Sequence, residues 1–288
     1  MRISWSMISG ALVLAAGLLL AGESIAADCQ LKAYGSLTVA ANDQEQMVFP
    51  VTIENHTLQA AFEPALSRSQ IGKKVLKDIG KAPRSGYLAD TVTLDKLVFG
   101  KLTVASPTLD VIDLPPGIDI ELGQNVLRLV DLELDLAKGT IRLFSPEHCP
   151  DQAVYWAPEH YEFDYEDTHF GGQFEASVNG HPVKAILAPG SAYSRINISE
   201  LSALGITKQG ENDLILDTLE FGGIRLKRIS AGTIQYNLIS HESSSGTHLK
   251  PTAVEAPTLL VGTDVLRKLR LFVANGTHKI YFTVGDGA

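Results

Sequence analysis

The sequence AILAPGSA at residues 185–192 decides the fold, because a second copy of its surroundings, AAFEPALS, occupies residues 60–67. In each copy a short apolar run leads into a Pro-containing segment, which indicates a strand that ends in a tight turn. The repeat therefore predicts two equivalent turns that meet at one site. The copies align without a gap, and three pairs of equivalent residues are each 125 positions apart: His56 and His181, Pro64 and Pro189, and Ile71 and Ile196.

Helical spacing of apolar residues follows each turn. In the first copy we expect a helix over residues 71–79, with Ser67 or Ser69 as its N-cap and Gly80 at its end. In the second copy the same arrangement is expected over residues 196–205. Each copy thus predicts a strand, a turn and a short helix in that order.

The later parts of the two copies also correspond. A hairpin with a central Gly is expected at residues 91–104 and again at 214–226. Each copy then has an apolar residue, a Gly and a short helix, in the sequences LGQNVLR at 122–128 and VGTDVLR at 261–267. A terminal hairpin follows in both copies, and Asn-Gly at residues 275–276 predicts its two-residue turn in the second.

The N-terminus has the pattern of a secretory signal. Arg2 precedes an uncharged run over residues 3–22, and the small residues up to Ala26 suit cleavage after that position. A membrane anchor is the alternative, but the strongly apolar part, residues 8–21, is shorter than the roughly 20 residues that span a bilayer. We expect residues 1–26 to be removed, which leaves a periplasmic or secreted protein without a membrane span.

Composition excludes one class of partner and bounds the architecture. The mature chain would have 262 residues, with 23 basic and 32 acidic side chains, and a net charge of −9. Binding to phosphates needs clustered Lys and Arg, so we expect no nucleic-acid partner. The length suits two lobes of ordinary size, for which a monomer is sufficient.

Two cysteines remain in the mature chain, and an even count in an exported protein predicts one disulfide, between Cys29 and Cys149. A loop of that length contributes about 4 to 5 kcal/mol in the simple loop-closure model. A reactive or metal-binding thiol is the alternative, but Cys149 has only His148 as a neighbour of ligand type. The histidine spacings match no usual zinc pattern, so no metal and no cofactor are expected.

The region between the copies, residues 151–168, is rich in Tyr, Glu and Asp, and it includes Trp156. We interpret it as a linker whose aromatic side chains pack at the seam between the lobes, with an aromatic ligand-binding strip as the alternative. The predicted organisation is a signal peptide at 1–26, a first lobe at 27–150, this linker, and a second lobe at 169–288.

The order of elements, present twice, resembles the retropepsin-like (pepsin-type) aspartic peptidases in their bacterial exported form, which has two copies in one chain. The similarity covers residues 51–143 and 176–282 in element order and spacing. It implies a mainly β fold of two lobes with short helices, related by a pseudo-dyad in a pepsin-like bilobal architecture. In that family each turn tip carries Asp-Thr/Ser-Gly, and the two carboxylates share one proton to act as acid and base toward a water.

Position by position, the family motif falls on degenerate turns. The first catalytic aspartate corresponds to Glu63 and the second to Ala188, while both bracing hydroxyls correspond to prolines. One carboxylate opposite a methyl group has no partner with which to share a proton. The family Gly corresponds to Ala65 in the first turn and Gly190 in the second, and the small residue after it corresponds to Leu66 and Ser191. The resemblance implies that Ala65, Gly190 and Ser191 contact a substrate.

These residues predict a catalytically defective, aspartic-peptidase-like protein that binds a peptide or protein partner in the inter-lobe cleft. The alternative function is an active endopeptidase that uses Glu63 with a non-standard second acid, drawn from Asp90, Asp95, Asp213 and Asp217. A structural module of the cell envelope is the third possibility, if the linker or the loop at 240–258 fills the cleft.

Two other roles were weighed for single residues. Glu63 has a structural alternative as the partner of Arg68 or Lys184 in an ion pair. Ser191 lacks the Gly-x-Ser-x-Gly elbow of serine hydrolases, so we interpret it as a turn residue.

Overall fold

The computed structural model of the protein describes residues 31–86, 89–147, 152–168, 170–207, 214–235 and 256–285. The predicted signal peptide, both cysteines and residues 240–255 of the predicted loop lie outside these ranges. The signal cleavage, the disulfide and the lobe boundaries at 27–150 and 169–288 therefore stay predictions.

The first half of the chain contains twelve strands and two short helices within the described residues. They are β1 (Ala33–Thr38), β2 (Ala40–Ala41), β3 (Met47–Ile53), β4 (His56–Phe62), β5 (Gln70–Gly72), α1 (Lys73–Asp78), β6 (Thr91–Thr93), β7 (Lys96–Phe99), β8 (Leu102–Ala105), β9 (Thr108–Ile112), β10 (Ile120–Leu122), α2 (Gln124–Leu127), β11 (Asp131–Asp135) and β12 (Thr140–Phe144).

The second half, again within the described residues, adds ten strands, one 3₁₀ helix and one α-helix. They are β13 (Tyr161–Asp164), β14 (Glu166–Thr168), β15 (Gly171–Val178), β16 (His181–Leu187), β17 (Ser194–Asn197), the 3₁₀ helix (Ile198–Glu200), β18 (Leu214–Phe221), β19 (Ile224–Ile234), β20 (Leu259–Val261), α3 (Thr263–Leu266), β21 (Leu269–Ala274) and β22 (Lys279–Val284).

These strands form three sheets. The first has the order β6-β9-β5-β10-β4-β3-β7-β8 with β2 beside β3, and the second has the order β14-β15-β16-β20-β17-β19-β18 with a further pairing of β15 to β18. The third sheet, β1-β12-β11-β21-β22-β13, takes strands from both halves and joins them through antiparallel pairing of β11 with β21. The expected mainly β, bilobal fold class is confirmed.

The same strand topology surrounds both turns. In the first half β4 runs parallel to β10, β10 is antiparallel to β5, and β5 runs parallel to β9. In the second half β16, β20, β17 and β19 repeat this order and these directions. The internal repeat read from the sequence is therefore confirmed as a repeat of structure.

The hydrophobic core is continuous across the two halves. Fully buried aromatic side chains from both contribute to it, including Phe99, Phe174 and Phe282. Burial of each such ring stabilises the fold by about 1.5 to 3 kcal/mol. The core packs both lobes onto the shared sheet and thereby fixes the position of one turn relative to the other.

The helices predicted after the turns are shorter than the apolar spacing suggested. Ile71 lies in β5, and α1 begins only at Lys73, with Gly72 as an N-cap that makes no side-chain hydrogen bond. The prediction of Ser67 or Ser69 as the cap is therefore wrong. The first copy does leave its helix through Gly80, whose φ is +68°.

In the second copy the predicted helix is also wrong in type. Its first residues extend as β17 because that strand pairs on both sides, with β19 and β20, and only a 3₁₀ turn follows, capped by Asn197. The predicted end is at Gly205, whose φ is +64°. Pairing of the strand thus overrides the helical spacing of its apolar residues.

Residues 153–156 of the linker pack on the face of the shared sheet opposite the main core, whereas β13 is an edge strand of that sheet and β14 pairs with β15. The Trp156 ring is 4.2 Å from the guanidinium carbon of Arg270, and its Nε1 donates to Thr283 at 3.0 Å. Tyr155 donates its hydroxyl to the buried carboxylate of Glu133. Trp156 and Tyr155 therefore contact the sheet, whereas Phe163 and Tyr165 pack into the main core.

The helices within the described ranges are all too short or too polar to cross a membrane.

Candidate functional site

The two turns are built in the same way. The N–H of Glu63 donates to the carbonyl of Leu122 on β10, and the N–H of Ala188 donates to the carbonyl of Val261 on β20, both at 2.9 Å. In each turn the residue three positions later donates its N–H back to the carbonyl of Glu63 at 3.0 Å or of Ala188 at 2.9 Å. Glu63 and Ala188 therefore occupy equivalent places at the two tips.

A serine supports each turn from beneath. The hydroxyl of Ser69 lies 2.8 Å from Asn125 Oδ1, and that of Ser194 lies 2.9 Å from Asp264 Oδ1, so each hydroxyl donates to the short helix that follows the apolar-Gly pair. Each serine also accepts a hydrogen bond, at 3.0 Å, from the backbone N–H of the Gly in its own pair. The apolar-Gly-helix segments thus support the turns.

The prolines at the tips are held through their carbonyls. Gln124 donates its side-chain amide to the carbonyl of Pro64 at 2.9 Å, and Thr263 donates its hydroxyl to the carbonyl of Pro189 at 3.1 Å. Each of these bonds stays within one half of the chain. Since proline has neither a hydroxyl nor an N–H, the cross-dyad brace that the resemblance implies has no donor here.

The two tips approach each other closely. A Cβ added to Gly190 would lie 2.6 Å from the carbonyl oxygen of Phe62 and 3.4 Å from Oε2 of Glu63. Backbone of the second turn therefore packs directly on the first, and the expectation that the turns meet is confirmed. Ala188 is fully buried, in an apolar cluster against which Ala65 of the first turn packs.

Glu63 is the acid at this junction. The residue as a whole is half-buried, but its Oε1 atom is fully buried and has no hydrogen-bond partner among the described residues. The pKa of Glu63 is raised to about 8, mainly by burial and also by the negative charge of Glu121, while a hydrogen bond from the Ala65 N–H and the charge of Arg195 act in the opposite direction. Glu63 is therefore mainly protonated at pH 7.

Glu121 is the functional residue that sequence reasoning missed. It lies on β10 beside Ala61 of β4, between Ile120 and Leu122, which are fully buried in the core. Because side chains alternate along a strand, Glu121 points to the other face, toward the first turn. Burial raises its pKa above the ordinary glutamate value. The sequence did contain a signal for this residue, because Glu121 is a charged residue between two apolar ones just before the Gly of the first copy.

The charges around the site are not symmetric. The counterpart of Glu121 in the second half is Leu260, which pairs with β16 as Glu121 pairs with β4. Arg195 on β17 is the equivalent of Gln70 on β5 and is exposed. The first half thus supplies two carboxylates, and the second half supplies one cation and an apolar wall.

A cavity of about 460 Å³ joins these residues. It brings together the predicted site residues Glu63, Ala65, Gly190 and Ser191, whereas Ala188 is buried beneath them. None of the described residues of the linker lines it. The full set of lining residues is Gln46, Glu63, Ala65, Leu66, Ser67, Pro115, Glu121, Phe170, Gly190, Ser191, Arg195, Ile234 and Leu260.

The predicted alternatives for the second acid lie elsewhere. Within the described residues, Asp90, Asp95 and Asp217 do not line this cavity, and Asp95 is 3.2 Å from Lys81. Asp213 lies outside the described residues. The carboxylate that acts on Glu63 is Glu121.

Two predicted roles of single residues are resolved by their contacts. Arg68 pairs with Asp110 at 3.3 Å and Lys184 pairs with Glu175, so the cation that acts on Glu63 is Arg195 instead. Ser191 is buried, and its hydroxyl donates to the carbonyl of Tyr193 at 2.8 Å. That hydrogen bond gives Ser191 the turn role expected for it.

A second cavity, of about 670 Å³, adjoins the first and shares Gln46 and Arg195 with it. The Tyr193 hydroxyl donates to Oε2 of Glu45 at 2.6 Å and so links the second turn region to the loop between β2 and β3. Arg267 makes another link to the same region through the sulfur of Met47, at 3.2 Å. Together the two cavities form a groove between the lobes.

No protein-family model matches the chain, and no curated protein matches its sequence. Among solved structures, the chain is similar to the crystal structure of an aspartic proteinase from Irpex lacteus, with a TM-score of 0.54 and 11% sequence identity. The match covers 88% of this chain and 97% of that one. At this identity the similarity shows the fold alone, which is the pepsin-like bilobal fold.

Proposed function

We propose that this protein is an exported, catalytically defective relative of the aspartic peptidases that binds a peptide or protein segment between its lobes without cutting it. The observation that carries the proposal is the pairing of Glu63 with Ala188 at equivalent turn tips, with the methyl group fully buried. Two carboxylates are needed to share a proton across the dyad, and the second tip has none.

The chemistry left to one acid at the tips is limited. A single general acid or base typically contributes a factor of about 10² to 10⁴, and groups that act as a unit lose most of their effect when one is absent. Glu63 is mainly protonated at neutral pH, so it favours donation of a hydrogen bond over activation of a water. A ligand cation beside Glu63 would favour its ionised form instead, since an opposite charge lowers the pKa of a carboxyl group.

The groove itself supports binding. Its two cavities, of about 460 and 670 Å³, share Gln46 and Arg195, and together they offer room for a peptide segment. The lining mixes apolar side chains such as Leu66 and Leu260 with a few polar groups that would fix the orientation of a ligand. The linker, which lies against the shared sheet, leaves the groove accessible.

A second candidate function is an endopeptidase in which Glu121 supplies the second acid. The observation in its favour is that the charge of Glu121 raises the pKa of Glu63, as expected for two carboxylates that compete for one proton. In that case cleavage would require both residues, and either Glu63→Gln or Glu121→Gln would abolish it.

Peptide retention by a groove-filling variant tests the binding proposal. Leu66→Trp places a large side chain in the groove, and we expect the mature protein to retain peptides from a digest of denatured protein while this variant loses them. Leu129→Trp, at an exposed position, is the matched control and should retain peptides like the wild type. Equal retention by both variants would remove the groove as the binding site.

A further inference from the structure

We propose that the groove selects its ligand through a basic side chain, a lysine, whose ammonium group binds the carboxylates of Glu63 and Glu121. This inference rests on the proposed binding function and names the ligand class of the same site. Three features of the site support it: the buried Oε1 atom of Glu63, the nearby carboxylate of Glu121 and the apolar lining of the cavity.

The first step is the buried Oε1 of Glu63. This atom has no hydrogen-bond partner among the described residues, and Glu63 as a residue lines a cavity of about 460 Å³. A buried acceptor left without a donor is costly, and a charged donor gives the strongest compensation. A lysine ammonium carries three donors and no acceptor, so it matches the carboxylate oxygens of Glu63 and Glu121, the two acids among the described lining residues.

The second step is the position of Glu121. It lies on the strand next to the first turn and lines the same cavity, so a cation placed at Glu63 also meets the charge of Glu121. Two neighbouring carboxylates repel each other, and a cation between them relieves that repulsion. Both acids come from the first half of the chain.

The third step is the apolar lining. Leu66 and Pro115 come from the first half, and Ile234 and Leu260 from the second, all on the wall of the cavity. The four-carbon stem of a lysine packs along such surface while its charged end reaches a polar group. A short cation without a stem would leave this lining uncovered.

Arg195 is the one cation in the described part of the lining, but its exposure to solvent makes it a weak partner for an acidic ligand. Its side chain is exposed, and an ion pair formed in water contributes little, whereas the carboxylates of Glu63 and Glu121 are shielded from solvent. The chain carries a net charge of −9, which attracts cationic segments over longer distances. Arg195 competes with the ligand cation for Glu63 and thereby moderates its affinity.

Three blocked alanine–serine peptides that differ at one central residue, lysine, norleucine or glutamate, test the inference by fluorescence anisotropy at pH 8. We expect the lysine peptide to bind about tenfold more tightly than the norleucine peptide, and the glutamate peptide to bind most weakly. Glu63→Gln and Glu121→Gln should each reduce the preference for lysine to below about threefold. Arg195→Ala should strengthen lysine binding.

Circular dichroism spectra and cooperative urea unfolding control for folding, because both Gln variants should keep the wild-type spectrum and a cooperative transition. The lysine preference should also grow from pH 6 to pH 8.5, since Glu63 loses its proton near pH 8 while Glu121, Arg195 and the Ala65 N–H around it stay in place. A structural role of the acids alone would leave that profile flat.

The outcomes separate this inference from the function on which it rests. Equal affinity for lysine and norleucine would overturn the lysine preference and leave a peptide-binding groove. Tightest binding of the glutamate peptide would overturn it in favour of an acidic ligand held by Arg195. Failure of all three peptides, and of a digest of denatured protein, to bind would contradict the binding function itself.

Discussion

Gly190 of the second turn packs against the carbonyl oxygen of Phe62 in the first, where an added Cβ would lie 2.6 Å from that oxygen. This contact sets the separation of the two tips and places Oε2 of Glu63 3.4 Å from the same Cβ position. Two turns of unlike sequence thus meet through backbone rather than through paired side chains. The two tips meet as equivalent turns, but only the first of them carries an acid.

The Gly190 contact predicts the cost of adding a single methyl group. Gly190→Ala should lower the free energy of unfolding by about 1 to 3 kcal/mol, because the clash is with backbone that cannot rotate away. Urea denaturation measures the change. Gly72→Ala is the matched control, since a Cβ there meets nothing closer than 3.6 Å, and its stability should change by less than about 1 kcal/mol. Equal loss in both variants would contradict the close approach.

The raised pKa of Glu63 predicts a slope of stability with pH. Its folded pKa of about 8 lies above the ordinary value of 4.5, so the folded state holds a proton that the unfolded state loses between these values. The stabilisation is fully present below pH 4.5 and declines by up to about 5 kcal/mol as pH rises to 8.

The comparison that isolates this slope is wild type against Glu63→Gln, unfolded in urea at pH 5, 6.5 and 8. The wild type should lose stability relative to the variant as pH rises, because glutamine has no proton to release. Glu121→Gln should make the slope shallower, since the charge of Glu121 contributes to the raised pKa. Parallel curves for wild type and Glu63→Gln would show that Glu63 titrates normally.

Restoring an acid at the second tip predicts a strained pair. Ala188→Asp would bury a second carboxylate opposite Glu63, where no exposed surface is available to solvate it. We expect a loss of about 3 kcal/mol at pH 8 and a smaller loss at pH 5, where both acids can hold protons. Ala188→Asn introduces a side chain of similar size without a charge, so its loss of unfolding free energy should be the same at pH 5 and pH 8. An equally pH-independent loss for Ala188→Asp would show that the new carboxyl group does not interact with Glu63.

The hydrogen bond between Tyr193 and Glu45 predicts an effect on ligand exchange. Both side chains are exposed, so Tyr193→Phe should cost less than about 1 kcal/mol of stability. Because this bond joins the two sides of the groove, its loss should raise the dissociation rate of a bound peptide by about threefold. Stopped-flow anisotropy measures the rate. Glu45→Gln should act in the same direction, and unchanged rates in both variants would exclude a closing role.

The internal repeat could be recognised in the sequence because equivalent residues of the two halves keep the same spacing, although few of them are identical. Pro64 and Pro189 and their apolar neighbours fixed the alignment of the two halves, and the strand pairings confirm it. The helices after the turns were less predictable. Apolar spacing near Ile196 matches a helix, but β17 gains hydrogen bonds on both edges when it is extended, and that gain is visible only in the folded chain.

The site was only partly predictable for a related reason. Glu63, Gly190 and Ser191 were identified from their positions in the turns, and all three line the same cavity. Glu121 was missed because its effect on Glu63 arises from the parallel pairing of β10 with β4, which brings together residues far apart in sequence. Arg195 was missed likewise, since it reaches the first turn only across the interface between the lobes.

Mass spectrometry of a peptide mixture after prolonged incubation with the mature protein, at pH 4, 6 and 8, tests the central claim most directly. If the groove binds peptides without cutting them, the retained peptides should be recovered intact at every pH, with the same masses as in a mixture incubated with Glu63→Gln. New fragments that appear with the wild type and are absent with Glu63→Gln would contradict it, because they would show that a tip with one acid still cleaves peptides.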